Sequence, residues 1–275
     1  MKRLIIFLVI LFMLPQLAEA KKVLVIEVDG PITAGTLELF KSGLEKAEEI
    51  NAEALLVTLD TPGGGLTETL EIVKLIDRSN ITIISYVHPT GATAWSAGTI
   101  ILISSHIAAM SPNTVIGSAQ PASISLGGFT PLNESKIINA LTALVAEKAR
   151  LHGRNETAAV AFIKENLNLN PEQAKRMDVI EFISSSTEDL LNQADGLFLK
   201  SIKKTLATKN AEIIKHKPSI RILFLNSVTN PMLASILLII GIYALIFGFS
   251  SPGFGSEIAG IVLIALGLLG LGFNV

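Results

Sequence analysis

The sequence predicts an α/β domain held between two apolar ends. Three observations carry that expectation. From Lys21 to about Leu199, short β-branched runs alternate with segments of helical periodicity, the pattern of strand–helix–strand units. Hydrophobic residues make up 49% of the 275 and charged residues 17%, too apolar a balance for an ordinary soluble domain. The excess is concentrated before Lys21 and after Pro231.

Taken in order, Lys2 and Arg3 precede an apolar run from Leu4 to Leu14, and Ala18-Glu19-Ala20 supplies a small-x-small cleavage site. Residues 1–20 therefore read as a secretory signal peptide cut before Lys21, the alternative being an uncleaved anchor helix; either sends the following domain out of the cytoplasm. "KKVLVIEVDG" is a buried-strand pattern stopped by Gly30-Pro31. "TLELFKSGLEKAEEINA" places Leu37, Phe40, Leu44 and Ala47 on one helical face. "EALLVTLD" is a strand that breaks at Pro62-Gly63. "LTETLEIVKLIDRS" is helical, "NITIISYVH" a strand, "SAGTIILISSH" helical and "HIAAMSP" a short strand. Helices follow at about Glu134–His152 and Glu156–Glu165, then a last strand in "MDVIEFIS" and a last helix in "TEDLLNQA".

Residues 21–199 thus form one domain. Residues 200–230, basic and mixed, read as a juxtamembrane connector, and residues 231–275 as two candidate transmembrane helices. The first runs from about Met232 to Phe249; the second, "IAGIVLIALGLLGLGF", is shorter and Gly-rich. Lys215, Lys217 and Arg221 flank the first span on the side that the signal peptide sends outside, against the positive-inside bias. Long domains translocate largely regardless of charge, so the expected location is the cell membrane, multi-pass, with the domain extracytoplasmic.

Composition also excludes chemistry. A net charge of -2 gives no footprint for nucleic acid. No cysteine is present, which removes disulfides, thiol catalysis and Cys-ligated zinc. The four histidines, His88, His106, His152 and His216, show no metal-ligand spacing, so neither a metal nor a cofactor is expected.

Two short stretches carry the functional signal. In "DTPGGG", Gly63, Gly64 and Gly65 allow positive φ and close approach of backbone to a ligand, and can aim N–H groups at a developing negative charge. The same glycines also suit a tight strand-to-helix connection. In "GATAWSAGT", Ser96 stands at a helix start among Ala94, Ala97 and Gly98. It suits an N-cap equally with a nucleophile whose following N–H serves an oxyanion. Asp60 reads as a turn cap and His88 as loop packing, while His106 is a minor rival as base. Trp95, bulky for its place, either narrows an acyl pocket or packs in the core.

Together the two stretches resemble the ClpP/crotonase class, and "PNTVIGSAQP" resembles the ClpP segment that carries its catalytic histidine before Gln-Pro. Here that position is Ala119. Lys136, in "PLNESKIINAL", is a candidate base in its place, and equally an exposed lysine at a helix start; a lysine acts as a base only when neutral, which calls for desolvation. The signal peptide, "DTPGGG", "SAGT", "SPNTVIGSAQP", the lysine, "ARLHGRN" and the "NP" before the spans make nearly the whole chain similar to the N-terminal part of long-form NfeD membrane proteases. Long-form members continue with further spans and a soluble β-barrel domain, whereas this chain stops at Val275.

The resemblance implies a Ser-Lys serine endopeptidase with Ser96 as nucleophile, Lys136 as general base, and Gly64 and Ala97 as oxyanion donors. It also implies a stomatin-like membrane protein as substrate. Gly63 and Gly65 are expected to contact substrate. The uncharged loop "SISLGGFTPL" is expected to close over an apolar peptide through Phe129 and Leu132. A homodimer or higher homo-oligomer is expected. Two rival readings are a non-catalytic scaffold for stomatin-like proteins and a crotonase-type acyl-CoA enzyme, the latter opposed by the signal peptide.

Overall fold

The computed structural model describes residues 21–125, 128–131, 134–250 and 255–271; the expected signal peptide lies outside them. The first elements are β1 (Lys22–Asp29), α1 (Ala34–Glu49), β2 (Ala54–Asp60), α2 (Leu66–Arg78) and β3 (Thr82–Val87). Then come β4 (Thr93–Trp95), α3 (Ala97–Ser104), β5 (Ile107–Met110), β6 (Val115–Gly117), and the paired β7 (Ala122–Ser125) and β8 (Gly128–Pro131). Helices α4 (Ser135–Leu151) and α5 (Glu156–Lys164), β9 (Asn168–Leu169), α6 (Pro171–Arg176), β10 (Phe182–Ile183) and α7 (Thr187–Ala194) follow. The chain then forms β11 (Phe198–Leu199), β12 (Lys204–Thr205), β13 (Glu212–Lys215), α8 (Ile220–Val228), α9 (Pro231–Ser250) and α10 (Ser256–Gly270).

The central sheet has the order β10-β5-β3-β2-β1-β13, and every pair in it is parallel. Its strands are apolar on both sides because both faces are covered, as parallel sheets require. Leu24, Ile26, Leu55, Val57 and Ile83 face the cluster built with α1, α2 and α3. Their neighbours Val23, Val25, Ala54, Leu56 and Ile84 face the opposite cluster, closed by Leu190, Leu191 and Ala194 of α7. Each fully buried Leu, Ile or Phe adds roughly 1.5–3 kcal/mol of transfer free energy.

Part of the expected connector, residues 200–230, belongs to this fold. β13 adds an edge strand beside β1, with Ile213 and Ile214 turned to opposite faces. Its apolar core of two residues is too short to register as a periodic pattern. Helix α9 matches the first expected span: Met232–Ser250 is long and apolar enough to cross a membrane, and is the one such helix among the described residues. The second expected span folds as α10, a shorter apolar helix packed along α9. A Cβ on Gly260 would stand 2.8 Å from the Gly241 carbonyl, and one on Gly267 2.8 Å from the Ala234 carbonyl, so small residues set the close approach.

A polar cluster fixes the far end of α3. Buried Arg154 donates from Nη1 to the carbonyls of Ile103 (2.6 Å) and Ser105 (2.8 Å), taking up acceptors that a helix end leaves open. Its Nε and Nη2 pair with Glu181 at 2.8 and 2.7 Å. His106 Nδ1 accepts from the Ile83 N–H at 3.0 Å, and His152 Nε2 donates to the Ser104 carbonyl at 3.1 Å; the two rings meet edge-on. Burial and the Arg154 charge push His106 down to about 4 and His152 down to about 3.

Both histidines therefore bind protons more weakly folded than unfolded, so acid favours unfolding. Stability from this pair is complete above the unfolded histidine value of about 6.5. It is lost as pH falls from there through the folded values. The urea midpoint of the domain is expected to drop between about pH 7 and pH 4 by an amount worth on the order of 1–3 kcal/mol. His106→Gln should flatten that acid limb; an equally steep limb in the variant assigns it to other groups.

Candidate active site

The carboxyl ends of the strands bring three segments side by side. Ile32, just past β1, donates to the Gly63 carbonyl at 2.8 Å, and Gly65 donates back to the Ile32 carbonyl at 2.9 Å. Thr61, just past β2, donates to the Thr93 carbonyl at 2.7 Å, and Trp95 donates to the Thr61 carbonyl at 3.0 Å. Asp60, expected to cap the turn, ties it to β4 instead: its Oδ1 accepts from the Thr93 N–H at 3.0 Å, while the hydroxyl that bonds inside the turn is that of Thr61. The "PGGG" turn is thereby held against β4 and the residue that follows it, Ser96.

Ser96 occupies φ 51°, ψ −111°, a region that non-glycine residues seldom enter and that stores strain. It precedes α3 but makes no side-chain capping bond, so it is not an N-cap in the bonding sense. Gly63, at φ 110°, presses on it. A Cβ there would lie 2.7 Å from Ser96 Cβ and 3.2 Å from its Oγ, so only glycine fits. At Gly64 a Cβ would meet the Ile32 carbonyl oxygen at 2.2 Å. The N–H groups of Gly64 and Ala97 donate to no other described residue, whereas those of Gly63, Gly65 and Ser96 are all taken. Two free donors thus flank the strained serine, and Ala97 opens the positive end of α3.

Two threonines without an expected role hold this arrangement. Thr99 Oγ1 donates to the Ala94 carbonyl at 2.7 Å and accepts from the Gly117 N–H at 2.8 Å, while the Gly117 carbonyl accepts from the Ser96 N–H at 2.9 Å. Thr61 Oγ1 accepts from the Gly63 N–H at 3.1 Å. Both threonines are completely buried. For Thr99 the only signal in the sequence was a hydroxyl residue at the head of an apolar run; Thr61 stood inside the "DTPGGG" stretch itself.

The other expected site residues are spread more widely. Lys136 sits in the first turn of α4, exposed rather than shielded, with no hydrogen bond or ion pair among the described residues. The reason is that Ile137 and Ile138 are the residues of that turn that lean on the core. The "SISLGGFTPL" stretch, expected as a loop, includes the antiparallel pair β7–β8, with Ile124 opposite Phe129. Its alternation of small and large residues suits strand pairing. Leu132 lies outside the described residues. Trp95 is 41% exposed, so it stands open beside Ser96 and not in the core. Ala119 is buried, and its N–H is bonded to the Phe162 carbonyl. His106 is committed to the cluster at the other end of α3. Among the described residues no group of three or more His, Asp or Glu side chains could hold a metal ion.

Residues 22–216 match the family model described as NfeD1b, N-terminal domain. The chain is 36% identical over 280 residues to the membrane-bound protease PH1510 of Pyrococcus horikoshii, a match that covers 99% of this chain but only 64% of that protein's length. Two solved structures are similar. One is a lysine-to-alanine mutant of the 1510-N membrane-bound stomatin-specific protease in complex with a substrate peptide. It is 35% identical with a TM-score of 0.70, covering 75% of this chain and 96% of that one. The other is a serine-to-alanine mutant of the same protease, 36% identical with a TM-score of 0.68, covering 73% and 99%.

Thr99→Val keeps the shape of the side chain and removes the bonds to Ala94 and Gly117. Leaving the Gly117 N–H buried and unpaired should cost about 1–3 kcal/mol, read as a lower melting midpoint. Reactivity of Ser96 toward an acylating probe should fall beyond what that loss of fold explains. A variant that melts lower but reacts at the full rate while folded would make Thr99 purely structural.

Proposed function

We propose, from the premise that the chain belongs to the family of NfeD1b N-terminal domains, that it is a membrane-tethered serine endopeptidase of the ClpP class. The observation that carries this reading is Ser96 in a strained turn between two unpaired N–H groups, those of Gly64 and Ala97. A capping serine has no use for that strain; a nucleophile with an oxyanion hole does. The similarity to proteases named as membrane-bound and stomatin-specific supports the substrate class, hydrophobic segments of stomatin-like membrane proteins.

In the proposed mechanism, neutral Lys136 takes the Oγ proton of Ser96 as that oxygen attacks the scissile carbonyl carbon. The carbonyl electron pair moves onto oxygen, between the Gly64 and Ala97 N–H groups. Lys136 then returns the proton to the departing amine as the C–N bond breaks. Water hydrolyses the ester, releasing a carboxylate and restoring Ser96. Lys136 is open to solvent in the free chain, so the dyad assembles when the β7–β8 hairpin and the start of α4 close over bound peptide. Catalytic contacts that tighten only with substrate are common. Gly63 and Gly65 beside the oxyanion donors, and Phe129 and Leu132 from the hairpin segment, line the peptide path. On this reading the domain works on the extracytoplasmic face of a multi-pass membrane protein, as a homodimer or larger homo-oligomer; the apolar ends of the sequence support the membrane part.

Ser96→Ala should retain the fold and lose fluorophosphonate labelling, with peptide cleavage down by about 10³-fold or more. Lys136→Arg should be as inactive as Lys136→Ala, because a guanidinium does not give up its proton in the working range. Absence of labelling in the unmodified chain, with membrane association intact, would favour the scaffold reading.

A further inference from the structure

Helix α8 presents two different sides. Its inner side carries buried Ile222 and half-buried Asn226, and Asn226 Oδ1 accepts from the Thr33 hydroxyl at 3.0 Å. Its outer side carries Ile220, Leu223 and Phe224, which are 86%, 51% and 60% exposed. Residues at i, i+3 and i+4 share one helix face, so these three form a continuous apolar stripe. A stripe of this kind on a protein surface calls for a partner.

The position of the stripe identifies the partner. Two residues, Thr229 and Asn230, separate α8 from α9, whose Met232–Ser250 segment is long and apolar enough to cross a membrane. Asn230 Oδ1 accepts from the N–H groups of Met232 and Leu233 at 3.0 and 3.3 Å, which starts the span immediately after α8 with no slack between them. A bilayer that holds α9 therefore has its headgroup boundary beside α8. Arg221, exposed on the same helix, has the long stem and charged head that suit that boundary.

We propose that α8 lies on the surface of a phospholipid bilayer, with Ile220, Leu223 and Phe224 sunk into the boundary between headgroups and acyl chains. The same helix fixes the domain's orientation. Thr33, which holds Asn226, follows Ile32, and Ile32 bonds to both Gly63 and Gly65 of the candidate oxyanion turn. A cavity of about 260 Å³ lies between this edge of the sheet, α8 and the start of α9, lined by Asp29, Thr33, Asn226 and Leu233 and bordered by Leu223, the residue of the stripe nearest the domain. The proposal rests on the membrane-tethered part of the reading above and independently of the Ser96 chemistry. It implies that the carboxyl edge of the sheet is held at the bilayer surface.

The chain contains no cysteine, so single nitroxide labels can be read without background. The full chain, carrying Leu223→Cys, Phe224→Cys or Lys209→Cys, is reconstituted in vesicles of phosphatidylcholine and phosphatidylglycerol. Labels at 223 and 224 should collide with lipid-soluble oxygen and be shielded from a water-soluble nickel chelate, and the label at 209 should do the reverse. Nickel access at 223 and 224 equal to that at 209 would overturn the proposal. So would shielding from both reagents, which would mean that protein, such as a second copy, covers the stripe. The readout needs no turnover and should be unchanged by Ser96→Ala, so its failure is separable from failure of the protease reading. As a second arm, Leu223→Asp combined with Phe224→Asp should leave cleavage of soluble peptides unchanged and lower cleavage of a vesicle-anchored peptide by about tenfold; equal loss on both would count against the proposal.

Discussion

The structure around Ser96 depends on holding one L-residue in a backbone conformation it avoids. A residue in such a region costs on the order of 1–3 kcal/mol, and it persists only where its surroundings over-determine it. Here they do. The Ser96 N–H is tied to Gly117, Gly117 is tied to Thr99, and Thr99 is tied back to Ala94, so the turn closes on itself through a single buried hydroxyl. On the other side the "PGGG" turn is clamped between Ile32 and Thr61. Each of these bonds opposes relaxation of Ser96 toward an ordinary φ.

Helix α3 transmits this constraint to the core. It is buried along its whole length, so it has no solvent face on which to shift. Its last carbonyls are taken by Arg154, which is itself fixed by Glu181. The buried, neutral histidines beside Arg154 fill the remaining space with bodies that accept or donate one bond each. Their reluctance to protonate is a by-product of this role. The same commitment removes His106 from competition as a base for Ser96.

The contrast is the region expected to complete the chemistry. Lys136 is exposed at the start of α4, and the described residues offer it no partner. Under the proposed mechanism, a rigid nucleophile and a separate base suit an enzyme that waits for its substrate to assemble the site. A neutral lysine requires shielding from water, and in the proposed mechanism an apolar peptide supplies that shielding on binding.

The sequence by itself determined the alternation of strands and helices, the two stretches "DTPGGG" and "AWSAGT", and the span beginning near Met232. Each of these is a local matter: periodicity, glycine content or run length decides it within a window of a few turns. Asp60 was not legible in this way: it reads as a turn cap, but its carboxylate bonds to the Thr93 N–H, 33 residues on. Only the tertiary structure decided which N–H groups are free. Gly64 and Gly65 are indistinguishable in sequence, yet Ile32, far away in the chain, takes the N–H of one and leaves the other. The same holds for Thr99 and Thr61, whose partners come from other strands, and for β13 and α8, which sequence assigned to a connector because two buried residues make no pattern. Long-range hydrogen bonds and docking faces are pairwise properties of distant segments, and a single chain read in order records only one member of each pair at a time.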